Sequence, residues 1–250
     1  MYHFFVDRSQ VNEKTAYIEG SDVNHIKNVL RMKPGENIDI SDGSNTIYHC
    51  EIVRLEDTVI TCDVLSSENS YAELPVQIYL FQGLPKADKM ELIIQKAVEL
   101  GVTAVIPMST SRAVVKLDAK KEESKLKRWN GISESAAKQS GRTFIPQVEQ
   151  VLGFKQAVER MQSLTHKLIP YELSEDMEET RKLLYAVKPG ESVGIMIGPE
   201  GGFEKEEITY ALEHGVMPIT LGKRILRTET AGMSILSVLG FLLEQRSAQE

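Results

Sequence analysis

The sequence predicts an α/β protein, with a mostly parallel sheet and its helices over residues 73–250 and a small β-rich unit ahead of it over residues 1–72. Three observations carry this reading. Residues 76–107 run strand, helix, strand at the lengths of a βαβ unit, which joins parallel strands through a crossover helix. Two later apolar runs, Val193–Ile197 and Val216–Leu221, each break into a glycine-containing loop, with a helical pattern between them. Ahead of Ser66 the pattern differs: short β-branched segments are parted by turn signals, with one helical piece among them.

In chain order, the first unit offers strands at Tyr2–Val6, Thr15–Ile18, Asn37–Ser41, Thr46–Val53 and Thr58–Leu65. Lys33-Pro34-Gly35-Glu36 and Ser41-Asp42-Gly43-Ser44 are turn sequences, since proline presets φ and glycine accepts φ > 0. Ser21-Asp22 can cap a short helix in which Val23, Ile26, Val29 and Leu30 share a face, leaving His25 and Arg31 at its edges. Short strands in this number predict a small barrel. The run Ser66–Ser70 is polar and aperiodic, which places the domain boundary there.

In the second unit Val76–Gln82 is a strand and Asp88 can cap a helix carrying Met90, Ile93, Ile94, Ala97 and Val98 at helical spacing. Gly101 stops that helix, and Val102–Pro107 is the next strand. Asp118 can cap a long helix with a narrow apolar stripe of Leu126, Trp129, Ser133, Ala136 and Ala137, ended by Gly141. A short strand near Val148–Val151, a helix near Phe154–Met161, a strand His166–Tyr171 and a helix near Glu178–Ala186 lead to the two loop-bearing strands. The last helix, Ala231–Gln245, is apolar on most of its circumference, so it is expected in the core or against a second subunit.

Composition bounds the function. At 42% apolar and 26% charged residues the chain is globular, not disordered or fibrous. No apolar run reaches the roughly 18 residues that span a bilayer, and the N-terminus has no signal-peptide pattern, so the expectation is a cytoplasmic protein with no membrane partner. Cys50 and Cys62 lack histidines at zinc spacing; they read as reduced strand residues, and no metal is expected. The net charge of −7 disfavours a nucleic-acid partner taken alone. Its distribution matters more: residues 1–72 carry a net −6, whereas residues 112–142 carry nine Lys/Arg against four acids, a net +5. Such a basic stretch fits either a local grip on a phosphate backbone or a solvated helix face with Glu–Lys pairs.

The two glycine loops are where chemistry is expected. Gly198-Pro199-Glu200-Gly201-Gly202 and Gly222-Lys223-Arg224 follow strand ends, and glycine lets backbone polar groups approach a flat polar ligand closely. Two such loops at the C-terminal edge of one parallel sheet point to a nucleotide-like site, although either alone could be only a turn. Arg224, Arg227, Thr228, Glu229 and Thr230 crowd together after the second loop, just before the apolar helix.

Four separated segments, QGLPKADKMELIIQKAVELGV, ESAAKQSGR, IGPEGGF and LGKRILRTETA, together with His25 and Val29-Leu30-Arg31, give the chain a family resemblance. It resembles the RsmE family of bacterial ribosomal RNA methyltransferases, the 16S rRNA (uracil(1498)-N3)-methyltransferases, over nearly its whole length. The resemblance implies an N-terminal PUA-like RNA-binding barrel and a C-terminal SPOUT methyltransferase domain with a trefoil knot, a topology that general rules on threading would not propose. It further implies S-adenosylmethionine as cofactor, a homodimer, and 16S rRNA or the 30S subunit as partner. Carried onto this chain, the cofactor contacts fall on Gly198, Pro199, Glu200, Gly201 and Gly202, on Leu221, Gly222, Ile225, Leu226, Thr230 and Ala231, and on Glu172 and Leu173 after the preceding strand.

Methylation of uracil N3 requires loss of its proton and stabilisation of charge developing on O2 and O4. Arg227 and Arg142, the latter from either subunit, are the candidates for the second task; Glu229, or a water held by Glu200, is the candidate base. A structural ion pair is the alternative for each charge. A base inside folded RNA must be turned out of its stack, so phosphate-gripping residues are also expected: Arg8, His25, Arg31, Arg112, Lys116 and Arg142. Two other functions fit the same resemblance, methylation at another RNA site or a ribose 2′-OH, and RNA binding without catalysis.

Overall fold

The structure, a computed structural model, describes residues 2–115, 117–171, 174 and 176–247. They form two compact units, Met1–Glu73 with Ala137–Ile145, and Leu74–Ala136 with Pro146–Glu250.

The first unit holds β1 (Tyr2–Phe5), β2 (Thr15–Glu19), α1 (Ser21–Asn24), β3 (Asn37–Ser41), β4 (Thr46–Leu55) and β5 (Val59–Asn69). The strands lie in the order β1-β3-β4-β5-β2, with only β1 and β3 parallel. The sheet curls into a half-barrel. Register shifts in β4 at His49/Cys50 and Ile52/Arg54 bend it, as bulges do. Phe4, Ile18, Ile26, Ile38, Ile40, Cys50, Ile52, Ile60 and Cys62 fill its concave side, each inward position alternating with an outward one. Burial pushes both free thiols up to about 12, so they are inert core residues.

Two local expectations change here. The polar run Ser66–Asn69 is no linker but the end of β5, paired with Thr46–His49 of β4. Asp22 does not cap α1, whose start has no side-chain cap; its carboxylate takes Lys138 at 2.9 and 3.0 Å. After α1 the chain makes a π-turn, His25–Val29, and closes with Leu30 N–H on the His25 carbonyl and Met32 N–H on that of Ile26. Arg31 occupies the left-handed position of this cap at φ +55°, where glycine is usual.

The second unit contains β6 (Gln77–Gly83), α2 (Lys89–Glu99), β7 (Ala104–Ser109), α3 (Ala119–Ser140), β8 (Gln147–Val148), β9 (Leu152–Gly153), α4 (Phe154–Met161), β10 (His166–Pro170), α5 (Met177–Tyr185), β11 (Ser192–Ile197), α6 (Lys205–Glu213), β12 (Met217–Ile219) and α7 (Thr228–Ser247), with the last turn of α3 belonging to the first unit. Its strands run β12-β10-β11-β6-β7-β8, with β9 also on β7, and all these pairs are parallel. The central strands β6, β7 and β11 are buried on both faces, which is why they read as unbroken apolar runs. α4 shows the complementary pattern, with Phe154, Ala157, Val158 and Met161 on one buried stripe.

Capping accounts for the helix starts unevenly. Asp118 accepts from Lys121 N–H at 2.9 Å and Asp176 from Glu179 N–H at 2.8 Å, whereas Asp88 precedes α2 without a side-chain cap bond. α7 packs one face, Ile235, Leu236, Leu239 and Leu243, on α2 and β11. Its opposite side leaves Val238 43% and Phe241 63% exposed, so within one chain the helix is not buried all round. Among the described residues, no helix is long and apolar enough to cross a membrane, and no cluster of three His, Cys, Asp or Glu could hold a metal.

Candidate active site

The chain leaves β6 toward β7 on one side of the sheet and leaves β11 toward β12 on the other. Adjacent strands whose connections part in opposite directions open a crevice at their C-terminal ends, the usual ligand position of an open parallel sheet. Here that crevice lies between Gly83 and Ile197, and the loops after β6, β7, β10, β11 and β12 all emerge on the same edge. Sheet topology therefore sets both glycine loops on one edge, with β10 between the strands that carry them.

Several ties hold the first loop. Thr228 Oγ1 donates to the Gly198 carbonyl at 2.6 Å and accepts from Gln82 Nε2 at 2.9 Å; the same Nε2 reaches the Gly83 carbonyl at 3.0 Å. This relay, wholly buried at Gln82, joins the end of β6, the first loop and the first turn of α7. Glu200 accepts from Lys86 N–H at 3.1 Å and from Lys89 Nζ at 2.8 Å. Burial alone would raise the Glu200 carboxyl, but these hydrogen bonds outweigh it and hold the group below the usual range, while Glu200 raises Lys89. On the other flank Arg112 reaches Gly201 and Glu204.

The second loop carries Leu221, half-buried, and Gly222 at φ +104°, its N–H on Thr220 Oγ1 at 3.2 Å. Ile225 is 88% exposed, Arg227 and Thr230 are exposed, Leu226 and Ala231 are half-buried, and Ala231 N–H starts the helix on the Arg227 carbonyl. Glu229 lies 3.6 Å from Lys89 Nζ, and its buried Oε2 has no hydrogen-bond partner. Lys89 thus stands between a carboxylate of the first loop and one of the first turn of α7. The open backbone at Gly202 and Gly222, where an added Cβ meets nothing within 4 Å, leaves room for a ligand.

Arg8, His25 and Arg31 are exposed on the first unit, Arg8 at the rim of a groove of about 660 Å³ shared with Asn12, Asp42, Tyr48 and Asn69. Arg142, also in the first unit, is only 3% exposed: Nη2 donates to Glu73 Oε2 at 2.6 Å and Nε at 3.1 Å. Its guanidinium makes a buried ion pair, as a charge leaving water needs a partner. Glu172, Leu173 and Lys116 lie outside the described residues. Sequence reasoning missed Gln82, Gly83 and Lys89. A visible signal was Gln82 itself, an amide at the end of an otherwise apolar strand.

The sequence profile of RNA methyltransferase domains matches residues 72–240, and that of the PUA domain of RNA methyltransferases matches residues 18–65. Ribosomal RNA small subunit methyltransferase E of Bacillus subtilis is 37% identical over 250 residues, covering 98% of each chain. The protein of the same description from Synechocystis is 32% identical and covers 97% of this chain and 78% of the relative. The crystal structure of ribosomal RNA small subunit methyltransferase E from Neisseria gonorrhoeae, bound to S-adenosylmethionine, superposes with a TM-score of 0.84 at 32% identity, covering 97% and 98% of the two chains.

Proposed function

The chain belongs to the ribosomal RNA small subunit methyltransferase E family, and from that premise we propose that it methylates N3 of one uracil, that of position 1498, in 16S rRNA of the small ribosomal subunit. The observation that supports this reading is the tie of the first glycine loop to the start of α7, the helix that follows the second loop: Thr228 donates to the Gly198 carbonyl, and Lys89 stands between Glu200 and Glu229. S-adenosylmethionine, when bound there, supplies an electrophilic methyl on a sulfonium. Residues Gly198–Gly202, Leu221, Gly222, Ile225, Leu226, Thr230 and Ala231, with Glu172 and Leu173, form its proposed walls.

The protein's own part is placement and charge. Arg227, exposed beside the second loop, offers its guanidinium to O2 and O4 of the uracil as the ring loses its proton. Glu229, held 3.6 Å from Lys89, is the candidate base for the N3 proton, and a donor bound there would pass its methyl to N3 and leave as a neutral thioether. Orienting a bound donor against the base would supply much of the remaining acceleration. Arg8, His25 and Arg31 of the first unit and the exposed Lys120 and Lys127 of α3 grip phosphates. The exposed Val238–Phe241 side of α7 favours a homodimer, and the loops around α7 are proposed to form a trefoil knot. An rRNA substrate places the work in the cytoplasm.

The test is to incubate the protein and labelled S-adenosylmethionine with small subunits lacking the modification, then map the label. Label at N3 of the one uracil supports the reading; label at a ribose or in transfer RNA overturns it. Separately, Arg227→Ala is expected to lower kcat about 10²-fold, the scale of one lost charge-stabilising donor, with donor affinity little changed. Equal losses in kcat and affinity would move Arg227 from catalysis to binding.

A further inference from the structure

Arg112 lies in the turn from β7 to α3, where a basic residue was expected to meet RNA phosphate. Although its side chain is 44% exposed, its guanidinium is engaged with groups of the second unit. Nη1 donates to the Gly201 carbonyl at 2.9 Å, Nη2 donates to Glu204 Oε2 at 3.0 Å, and Nε lies 2.9 Å from Glu204 Oε1. Beside it, Ser111 N–H and Oγ donate to Glu207 Oε1 at 2.8 and 3.1 Å, while Glu207 Oε2 accepts from Glu204 N–H at 2.9 Å. The stem packs as closely as the head: a Cβ added to Gly201 would stand 3.1 Å from Arg112 Cβ.

These contacts use the planar fork as a fork. Two donors meet one carboxylate side by side, and a third meets a backbone carbonyl, a geometry that an ammonium on a flexible stem cannot reproduce. The Arg112 hydrogen bond outweighs the effect of burial and holds the Glu204 carboxyl below its usual range. The loop it grips has three glycines in five residues. Such a backbone has much conformational freedom to lose, so ordering it before a ligand arrives makes binding tighter.

We propose that Arg112 is a positioning residue of the methyl-donor site, fixing the Gly201 carbonyl and with it the shape of the first glycine loop, and is not a phosphate contact. The inference rests on the functional reading above.

Separate titrations of wild type, Arg112→Ala and Arg112→Lys with S-adenosylhomocysteine and with a 16S rRNA fragment distinguish the two roles. The donor-site Kd is expected to rise about tenfold in Arg112→Ala and nearly as far in Arg112→Lys, through lost preorganisation. The donor KM rises with it, kcat at saturating donor stays close to wild type, and the slope of log RNA affinity against log salt does not move. A slope reduced by about 0.7–0.9, one phosphate's worth, would overturn the proposal. So would an unmoved donor affinity, or an Arg112→Lys protein that binds donor like wild type. Should Arg112→Ala not fold, Arg112→Lys gives the same readouts. A wild-type protein that binds no S-adenosylhomocysteine would instead remove the functional reading, a result distinct from normal wild-type binding with an unaffected variant.

Discussion

Gly83→Ala is expected to weaken S-adenosylhomocysteine binding by at least about tenfold, the factor given by roughly 1.4 kcal/mol, and to cost about 1–3 kcal/mol of stability, as overpacking does. A Cβ on Gly83 would stand 2.6 Å from Pro199 Cδ, 2.7 Å from Pro199 N and 3.0 Å from the Gly198 carbonyl carbon. Those are backbone and ring atoms, so no side-chain rotation relieves the clash; the first glycine loop must move away from β6. That movement also pulls on Thr228, whose hydroxyl bonds the Gly198 carbonyl. Gly131→Ala serves as the control. It lies inside α3, a Cβ there meets nothing within 4 Å, and alanine is favoured over glycine in a helix by about 0.5–1 kcal/mol. Calorimetric titration with denaturant unfolding measures both effects, and normal ligand affinity in Gly83→Ala would detach the first loop from the donor site.

Arg142→Met is expected to destabilise the protein by about 3–5 kcal/mol, the scale for removing one partner of a buried ion pair. The loss falls on Glu73, whose carboxylate accepts from Arg142 Nε and Nη2 and, through Oε1, from Thr143 N–H at 2.9 Å. With its counter-charge gone, that carboxylate remains 16% exposed and must be buried alone, protonated or hydrated at the expense of packing. The Arg142 guanidinium also lies 4.6 Å from the centre of the Phe144 ring, a contact methionine replaces only in part. Changing Glu73→Met together with Arg142→Met is expected to recover most of the loss, because exchanging a whole buried pair for apolar groups is often neutral. Urea unfolding of the three variants decides the matter: an unchanged midpoint with reduced turnover in Arg142→Met would return this residue to the catalytic machinery.

Much of the fold is legible in the chain because its period is local. α4 was readable from Phe154, Ala157, Val158 and Met161 at helical spacing, and β6, β7 and β11 from apolar runs that a doubly covered parallel sheet demands. The glycine loops were readable for the same reason, as breaks after such runs. The polar stretch Ser66–Asn69 was not, since edge residues of a curled sheet can face water on both sides and carry no period. Nor was the membership of Ala137–Ile145 in the first unit, because contiguous reading has no signal for a segment that returns to an earlier core.

By itself the sequence determined the elements, the parallel sheet and the two loops that hold the proposed chemistry, for each depends on neighbours a few residues apart. Only the tertiary structure decided which charges are at liberty and which are committed. Arg142, Arg112 and Arg227 are alike in sequence as basic residues at the boundaries of predicted elements. One is sealed against Glu73, one spans Gly201 and Glu204, and one is exposed beside the second loop. The reason is physical: a guanidinium's role follows from the acceptors within about 3 Å of it, and for Arg142 and Arg112 those acceptors, Glu73, Gly201 and Glu204, lie tens of residues away along the chain.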